Sequence, residues 1–557
     1  MTAPILAVRD LAVEFAVEEA WRPVVSEVNF ELHQGEVLGI VGESGSGKTV
    51  TSRALISLLP AGVSRVAKGQ VLFEGQDLLH LSSSALAEVR GGRIGMVFQN
   101  PTTHLDPVMR IGEQIALGLR LHRDMDRSAA RRRAIALLEE VGFSDPARQV
   151  DAFPHELSGG MRQRAMIAAA LSSDPTVLIA DEPTTALDVT VQAQIIALLR
   201  DLQGSRSLSI IFISHDLGLV ADFCDAVLVM ERGKIVEAGA VAKILGQPQH
   251  PYTRKLLGAQ PGLTPPGHYF PIEGEGERGG TAVVDPEPGP PTLEISDLQV
   301  RFPMKRGLAD VLNRKPAEAF AAVDGVSLTL HRGEALGLVG ESGSGKSTLA
   351  RSVVGLVSPS GGEIRLDGAR LDPETRKQGQ DWRRKVQMIF QDPLTSLNPK
   401  MSVAETLAEP LKVHRICSRE EIPARVQRLL HEVGMDQELA ERKPHQLSGG
   451  QCQRVGIARA VAMEPELLLA DEPTSALDVT IQAQILNLLL HLRQSRGLTM
   501  LFISHDLAVV RHLCQRIAVM KRGRLVEVGS VEQIYERPQH AYTQSLLSAV
   551  PEVAKAS

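Results

Sequence analysis

The sequence predicts an α/β protein made of two tandem copies of one domain. Three observations support this prediction. The 557 residues exceed what one hydrophobic core usually serves, long segments occur twice, and each copy has short apolar runs typical of buried parallel strands. EVLGIVGESGSGKTVT at 36–51 recurs as EALGLVGESGSGKSTL at 334–349, and DEPTTALDVT at 181–190 recurs as DEPTSALDVT at 471–480. So long a repeat period indicates two whole domains rather than a solenoid.

A segment of different composition separates the two copies. Residues 261–291 contain 8 Pro and 7 Gly in 31 positions, which disfavours regular structure and is typical of a linker. The segment has no long charged helical pattern, so we expect an irregular tether. The predicted domains are therefore residues 1–260 and residues 292–557.

Composition argues against several classes of protein. The chain is 43% hydrophobic and 23% charged, as in an ordinary globular protein, and no stretch approaches the about 18 consecutive apolar residues of a membrane span. MTAPILAVRD at the start lacks the pattern of a secretory signal, so any membrane spans are expected on other subunits. A net charge of −6 and 3% aromatic residues argue against binding of nucleic acid.

A glycine-rich loop in each copy is the first candidate site. GESGSGKT at 42–49 and GESGSGKS at 340–347 fit G-x-x-x-x-G-K-[ST], and each lies between an apolar run and a helical pattern. Such a loop wraps backbone N–H groups around phosphate oxygens at the start of a helix. Lys48 and Lys346 would reach the β- and γ-phosphates, and the hydroxyls of Thr49 and Ser347 would bind Mg²⁺. The predicted phosphate-binding residues are Gly42, Ser44, Gly45, Gly47, Lys48 and Thr49, and Gly340, Ser342, Gly343, Gly345, Lys346 and Ser347.

Two acidic residues end a second apolar run in each copy, in VLIADEP at 177–183 and LLLADEP at 467–473. The carboxyl ends of parallel strands are where ligands bind in open α/β sheets. We expect Asp181 and Asp471 to hold Mg²⁺. Glu182 and Glu472 would then polarise the attacking water.

Polar residues after two further apolar runs complete the predicted catalytic set. His215 and His505, each in ISHD, suit a group that senses or positions the γ-phosphate. Gln99 and Gln391, in VFQNP and IFQDP, bring a neutral amide that would coordinate Mg²⁺ and contact the water without adding charge.

A second anion-binding helix start is predicted in each copy, in LSGGMRQR at 157–164 and LSGGQCQR at 447–454. A hydroxyl, free backbone N–H groups and the helix dipole all favour a phosphate there. A second phosphate-binding helix is hard to use within one domain, so it suggests that each repeat completes the site of the other. The residues are Ser158, Gly159 and Gly160 in the first copy, and Ser448, Gly449 and Gly450 in the second.

Together these motifs resemble the ATP-binding cassette family over nearly the whole chain outside the linker. The resemblance implies two P-loop NTPase domains, each with a mainly parallel sheet, an antiparallel β subdomain and a helical subdomain that carries the LSGG signature. It implies an intramolecular cassette dimer with two ATP molecules sandwiched head to tail. One site would combine Lys48, Gln99, Asp181, Glu182 and His215 with Ser448-Gly449-Gly450. The other would combine Lys346, Gln391, Asp471, Glu472 and His505 with Ser158-Gly159-Gly160. The D-loops Ala186-Leu187-Asp188 and Ala476-Leu477-Asp478 also match, and the family's adenine-stacking aromatic falls near Phe15, with Trp21 as a competitor, and near Phe302.

PQHPYTRKLL at 248–257 and PQHAYTQSLL at 538–547 resemble the C-terminal signature of the oligopeptide/dipeptide/nickel importer subfamily. This implies an ATPase that powers import of oligopeptides, dipeptides or glutathione-like peptides. The implied partners are two transmembrane permease subunits and an extracytoplasmic solute-binding protein. The implied location is peripheral, on the cytoplasmic face of a bacterial inner membrane. The implied cofactors are ATP and Mg²⁺, and no iron–sulfur cluster is expected, because residues 258–291 contain no cysteine.

Two alternatives remain at this stage. A twin-cassette translation factor on the ribosome usually has a long charged helical linker and a basic character, and this sequence has neither. A non-catalytic scaffold is disfavoured by two intact sets of acidic residues and histidines. The solute is open as well, since nickel or an opine-like solute would fit the same subfamily.

Overall fold

The chain is described here by a computed structural model. The described residues are 3–18, 20–185, 187–272, 289–303, 319–371, 376–475 and 477–550. They divide into two compact units. Of the described residues, the first comprises those up to Leu187 together with Val191–Gln260, and the second comprises Asp188–Thr190 and those within Pro261–Val550.

The first unit has ten strands and eleven helices among its described residues. Its strands are β1 (Leu6–Val17), β2 (Ala20–Leu32), β3 (Val37–Val41), β4 (Ser64–Phe73), β5 (Gln76–Asp77), β6 (Ile94–Val97), β7 (Val177–Asp181), β8 (Ser209–Ile213), β9 (Ala226–Glu231) and β10 (Lys234–Ala240). Its helices are α1 (Lys48–Leu55), α2 (Ser83–Val89), α3 (Pro101–His104), α4 (Ile111–Arg123), α5 (Arg127–Glu140), α6 (Pro146–Gln149), α7 (Gly159–Ala170), α8 (Val189–Arg206), α9 (Leu217–Phe223), α10 (Val241–Gly246) and α11 (Pro251–Gly258). Short 3-10 turns lie at Leu78–His80 and Pro154–Glu156.

The main sheet of the first unit has the strand order β10-β9-β3-β8-β7-β6. All neighbouring pairs are parallel except β10 with β9. Every residue of β3, β7 and β8 is buried, because helices and the second sheet cover both faces of the main sheet. Strands buried on both faces need continuous apolar runs, which explains VLGIV, VLIAD and SIIFI.

Two further layers complete the first unit. β2, β1, β4 and β5 form an antiparallel sheet in that order, and its inner face shares a core with α1 and the main sheet. α4, α5 and α7 pack on one another and on β6 as a helical subdomain. The predicted fold class, a mainly parallel core with an antiparallel β subdomain and a helical signature subdomain, is confirmed.

The second unit repeats this topology, with sheet orders β12-β11-β14-β15 and β16-β17-β18-β13-β19-β20. Its strands are β11 (Pro291–Pro303), β12 (Ala319–His331), β13 (Ala335–Val339), β14 (Gly361–Leu366), β15 (Ala369–Arg370), β16 (Val386–Ile389), β17 (Leu467–Asp471), β18 (Thr499–Ile503), β19 (Arg516–Lys521) and β20 (Arg524–Ser530). Its helices are α12 (Lys346–Val353), α13 (Arg376–Lys385), α14 (Pro393–Ser396), α15 (Val403–Val413), α16 (Ile422–Glu432), α17 (Gly449–Val461), α18 (Val479–Arg496), α19 (Leu507–Leu513), α20 (Val531–Glu536) and α21 (Ala541–Ser548). Its 3-10 turns lie at Gln437–Glu441 and Pro444–Gln446. Across the described ranges, no helix is long and apolar enough to cross a membrane.

The start of the predicted linker packs on the second unit. The backbone N–H of Phe270 donates to Asn487 Oδ1 over 2.8 Å, and Asn487 Nδ2 donates back to the Phe270 carbonyl over 3.1 Å. The Phe270 ring is 3% exposed and lies 4.2 Å from the ring of His512, measured between centroids. His512 Nε2 in turn donates to the carbonyl of His268 over 2.8 Å. Residues 268–270 are thus held by side chains of α18 and α19, whereas 273–288 of the predicted linker lie outside the described residues.

Burial lowers the pKa of His512 to about 4, so its ring is neutral at pH 7 and Nε2 carries the hydrogen for the His268 carbonyl. Asn487 is likewise buried at 3% exposure, and its amide forms hydrogen bonds with both the N–H and the carbonyl of Phe270. The contact therefore buries an aromatic ring without leaving the main chain beside it unpaired.

We expect Phe270→Ala to destabilise the second unit by about 3 kcal/mol, because it removes a buried aromatic ring from between two helices. Tyr269→Phe is the matched control, since it removes only one hydroxyl, which donates to Gln494 Oε1 over 2.5 Å. Its cost should be about 1 kcal/mol or less. Peptide-resolved hydrogen exchange of the full chain would show faster exchange around α18 and α19 in Phe270→Ala only. Equal effects of the two variants would contradict the prediction.

Candidate functional site

Adjacent strands of the main sheet end at the predicted site residues. In the first unit, β3 leads into the loop at Gly42, and its neighbour β8 is followed by His215. β7 ends at Asp181, which precedes Glu182, and β6 at the sheet edge is followed by Gln99. Because β3, β8, β7 and β6 are parallel and adjacent, their carboxyl ends bring these five residues to one edge.

The glycine-rich loop lies close to the end of β9. A Cβ atom on Gly42 would lie 2.2 Å from the carbonyl oxygen of Met230, and Gly47, which begins α1, has a φ of 100°. Side chains are therefore excluded at both positions. Gly340 and Gly345 of the second unit are constrained in the same way, with a φ of 105° at Gly345 and a Cβ on Gly340 2.1 Å from a carbonyl oxygen.

The loop lysine is fixed by its own loop. Lys48 Nζ donates to the carbonyl of Gly42 over 2.7 Å and to that of Glu43 over 2.9 Å. Lys346 makes the same two bonds in the second unit, to Gly340 and Glu341. Lys48 and Lys346 are each 5% exposed, and a positive charge in a partly desolvated loop would attract a phosphate strongly.

One carboxylate at each site is suited to a cation. Thr49 Oγ1 donates to Asp181 Oδ1 over 3.1 Å, and Ser347 Oγ donates to Asp471 Oδ1 over 3.0 Å. Asp181 Oδ2 is buried and has no hydrogen-bond partner among the residues that the structure describes. A buried carboxylate oxygen of this kind calls for a cation or a strong donor, so the oxygen ligands present fit the hard ion Mg²⁺.

The second carboxylate is surrounded by donors. Glu182 Oε2 accepts from Gln99 Nε2 over 2.8 Å and from Thr185 Oγ1 over 2.8 Å, and His215 Nδ1 lies 3.5 Å away. Glu182 has a φ of 47°, a left-handed conformation that costs a non-glycine residue about 1–3 kcal/mol and that often marks a functional site. Since the amide nitrogen of Gln99 faces Glu182, its oxygen is the atom available to a cation or to water.

Two neighbouring carboxyl groups therefore have opposite pKa shifts. Burial raises the pKa of Asp181 to about 6, although Thr49 opposes the shift. Burial also acts to raise the pKa of Glu182, but the contacts with His215, Thr185 and Lys48 outweigh it and lower that pKa to about 2. At neutral pH Glu182 is a fixed negative charge, and the charged form of His215 is favoured because Glu182 raises its pKa against the effect of burial.

The second unit has the same arrangement with one difference. Glu472 Oε2 accepts from Gln391 Nε2 over 2.9 Å and lies 3.3 Å from His505 Nδ1. Contacts with His505 and Lys346 outweigh burial and lower the pKa of Glu472, whereas burial raises that of Asp471. Ser475 Oγ donates to the backbone carbonyl of Glu472 over 3.2 Å, whereas Thr185 in the first unit donates to the carboxylate.

The predicted signature residues lie on other elements of each unit. Ser158 caps α7, its hydroxyl accepting from the N–H of Met161 over 3.3 Å, and Ser448 caps α17 through Gln451 over the same distance. A Cβ on Gly160 would lie 2.6 Å from Val191, so this helix start must be glycine to pack on α8. Ser158 and Gly159 are exposed, which leaves a helix N-terminus facing solvent. Leu187 and Asp188 of the first D-loop are described, whereas Ala186 and Ala476 lie outside the described residues.

The aromatic residues differ between the units. Phe15 is partly buried and packs on the core, whereas Trp21 is 39% exposed, with the guanidinium of Arg65 4.4 Å from its ring centroid. Phe302 is 42% exposed and lies opposite Phe320, which is 57% exposed. Phe320 was not predicted from the sequence, because only the strand register places it beside Phe302. The assignment of Phe15 and Phe302 to adenine stacking stays a prediction.

In each unit, a tyrosine from the predicted subfamily signature contacts the phosphate loop. The N–H of Glu43 donates to the hydroxyl of Tyr252 over 2.9 Å, and the N–H of Glu341 donates to that of Tyr542 over 3.0 Å. Both tyrosines are nearly buried, on α11 and α21. Lys255, one turn after Tyr252, lies 3.5 Å from the Glu43 carboxylate. The repeated PYT and AYT segments were the available signal, but the sequence does not show that they reach the loop.

The fold and the site define an ATPase of the phosphate-loop class. The family pattern described as ABC transporter matches residues 25–185 and 323–475. The chain is 47% identical to the glutathione import ATP-binding protein GsiA of Pectobacterium atrosepticum, over 98% of this chain and 89% of that protein. This chain therefore belongs to the ABC transporter family, as an ATP-binding protein with two fused cassettes whose hydrolysis of ATP is coupled to transport.

A second relative and a second family pattern agree with the predicted subfamily. The chain is 46% identical to the peptidoglycan transport ATP-binding protein YejF of Agrobacterium fabrum, over 98% of this chain and 96% of that protein. The pattern described as oligopeptide/dipeptide transporter, C-terminal region, matches 236–280 and 526–557. A solved dimeric ATP-binding cassette with ADP and phosphate is 31% identical over 43% of this chain and 98% of its own length, with a TM-score of 0.38. The subfamily prediction is confirmed, and these relatives do not favour the translation factor.

We expect Tyr252→Phe and Tyr542→Phe each to raise the KM for ATP about fivefold, with a smaller effect on kcat. Each change removes the acceptor of a loop N–H, and an unpaired group of this kind costs about 1–3 kcal/mol. Steady-state ATP hydrolysis by the purified chain measures both constants. Tyr269→Phe, which removes a hydroxyl that donates to Gln494, serves as the control and should leave both constants unchanged. An unaltered KM in the double variant Tyr252→Phe/Tyr542→Phe would show that the tyrosines do not position the loops.

Proposed function

We propose that this chain hydrolyses Mg²⁺-bound ATP at two sites and thereby powers import of peptide-type solutes through separate membrane permeases. The observation that supports it best is the occurrence, in both units, of one complete set of groups at the ends of adjacent parallel strands. Each set contains a phosphate loop with a buried lysine, a carboxylate suited to a cation, and a second carboxylate kept ionised by neighbouring donors. A scaffold protein has no need of the second carboxylate.

In the proposed mechanism, Glu182 and Glu472 orient and polarise the attacking water. Their negative charge suits the role of proton acceptor, and Gln99 and Gln391 fix the carboxylates by donating to them. His215 and His505, beside the same carboxylates, would contact the γ-phosphate. Lys48 and Lys346 would bind the β- and γ-phosphates and neutralise part of their charge.

Mg²⁺ would be held by Thr49, Asp181 and Gln99 in the first site and by Ser347, Asp471 and Gln391 in the second. The ion supplies positive charge that offsets the charge of the phosphates. The predicted loop residues Ser44, Gly45 and Gly343 are exposed, which suits backbone groups that receive a ligand.

We propose further that each signature helix acts on a nucleotide held by the other cassette, as the resemblance to this family implies. Ser158-Gly159-Gly160 would then complete the site of Lys346, and Ser448-Gly449-Gly450 that of Lys48. The exposed helix starts at Ser158 and Ser448 support this, because their free N–H groups favour an anion. ATP would favour closure of the paired cassettes, and hydrolysis would favour their opening.

The solute proposal depends on the relatives and on the C-terminal region. GsiA is named for import of glutathione and YejF for transport of peptidoglycan, and the C-terminal pattern is named for oligopeptide and dipeptide transport. These are all peptide-containing compounds, which favours a peptide-type solute over nickel or an opine. Two permeases, an extracytoplasmic solute-binding protein and attachment to the cytoplasmic face of the bacterial inner membrane complete the proposal.

We expect the double variant Glu182→Gln/Glu472→Gln to hydrolyse ATP at least about 100-fold more slowly, because loss of a general base typically costs 10²–10⁴. Each single variant should lose half of the rate or more. Phosphate release by the purified chain is the measurement. Glu74→Gln, which alters an exposed ion pair with Arg93, is the control. A double variant with a wild-type rate would contradict the catalytic assignment.

Co-purification tests the transport proposal separately. The tagged double variant, isolated from gently solubilised membranes in the presence of ATP, should bring two multi-span proteins in stoichiometric amounts, identified by mass spectrometry. Ribosomal proteins without multi-span partners would contradict the proposal and leave only the ATPase.

A further inference from the structure

The two signature helices are attached to their surroundings by different residues. Arg162 follows Ser158 by four positions, and Cys452 occupies the corresponding position after Ser448. The sequences LSGGMRQR and LSGGQCQR otherwise agree closely, so this difference stands out within the repeat.

In the first unit, the guanidinium of Arg162, on α7, contacts both the segment 154–157 and α3. Nε donates to the carbonyl of Pro154 over 2.9 Å and to that of Leu157, the residue directly before Ser158, over 3.1 Å. Nη1 donates to the hydroxyl of Thr102 over 3.2 Å. Thr102 lies on α3, the short helix that follows Gln99. One planar side chain therefore ties the backbone before the signature serine to the segment that carries the catalytic amide.

In the second unit, both partners of this contact are different. Cys452 is fully buried, and its thiol donates only weakly to the carbonyl of Pro444 over 3.5 Å. Leu394, with a 52% exposed side chain, occupies the position of Thr102 on α14. A different arginine reaches this short helix: Arg459 Nη1 donates to the carbonyl of Ser396 over 2.8 Å.

Arg459 anchors α14 to the end of α17 that is remote from the signature serine. It lies two residues before the end of α17, whereas Ser448 caps the beginning of the same helix. In the first unit the corresponding residue is Ala169, which cannot make such a bond. The first unit thus anchors α3 to the signature end of its helix, and the second anchors α14 to the opposite end.

We propose that Arg162 is a positioning residue that couples the first signature segment to the segment after Gln99, and that Cys452 leaves the second signature segment without this coupling. A displacement of α3 is then transmitted directly to the backbone of Leu157 and Ser158. A displacement of α14 reaches the far end of α17 instead. The two units therefore differ in how strongly a movement of the segment after the glutamine displaces the signature segment of the same unit.

The inference depends on the proposed function in one respect, namely that the signature segments act on nucleotide. Ser158→Ala tests that part alone, because it removes the signature hydroxyl and leaves Arg162 in place. A wild-type kcat in Ser158→Ala and also in Ser448→Ala would contradict the role of the signature segments. The contact made by Arg162 would still be measurable by exchange.

Arg162→Cys, which copies the second unit, is the principal variant. Hydrogen exchange of the full chain, followed by peptide mass spectrometry, should show faster exchange over 154–162 and over 101–105, and no change over 444–452. Steady-state hydrolysis should show kcat lowered by about half or more, with the KM for ATP within about twofold, because a misplaced group acts mainly in the transition state. Arg162→Lys should restore part of kcat, since an ammonium replaces some of the hydrogen bonds but not the planar fork.

Cys452→Ala in the second unit is the matched control, and its kcat and its exchange over 447–454 should both stay close to the wild-type values. Unchanged exchange over 154–162 in Arg162→Cys would overturn the coupling. Faster exchange with unchanged kcat would overturn the positioning role. A rise in KM without a fall in kcat would also overturn it, since that pattern indicates an effect on ATP binding at rest.

Discussion

Burial of β3, β8 and β7 on both faces is the constraint on which each site depends. Strands covered on both sides cannot accommodate polar side chains along their length, so polar groups occur only where the strands end. In each unit the chain leaves the sheet at these ends, and the phosphate loop, the two carboxylates and the histidine are brought together there. The close approach of Gly42 to the Met230 carbonyl then fixes the direction in which the loop leaves β3.

The same burial sets the electrostatics of the site. Two adjacent acidic residues in a partly desolvated place do not ionise with equal ease. Burial raises the pKa of Asp181, which accepts a hydrogen bond from the Thr49 hydroxyl. Glu182 accepts from an amide and a hydroxyl and lies beside a histidine, and these contacts lower its pKa. One group is thereby suited to a cation and the other to a water molecule. Asp181 is the last residue of β7, and Glu182 follows it in a left-handed backbone conformation with a φ of 47°.

The two units keep the same reactive groups but differ in the residues that contact and position those groups. Lysine, carboxylates, glutamine and histidine have equivalent contacts in the two units, over distances that agree within about 0.2 Å. The residues behind them differ, as in the pairs Thr185 and Ser475, and Arg162 and Cys452. Only the second unit carries the docked segment that contains Phe270, where His512 and Asn487 replace Asp222 and Ala197 of the first unit.

The sequence by itself determined the repeat, the fold class and the main chemical groups. These are encoded locally: the phosphate loop is a run of eight residues, and an apolar run that ends in Asp-Glu specifies both a buried strand and its polar end. Tertiary structure decided which distant residues support that chemistry. Tyr252 lies 209 positions from the loop residue it contacts, His512 lies 244 positions from His268, and Phe320 reaches Phe302 only through strand register. Such contacts depend on how helices and strands pack across the chain, and no local pattern of residues records that packing.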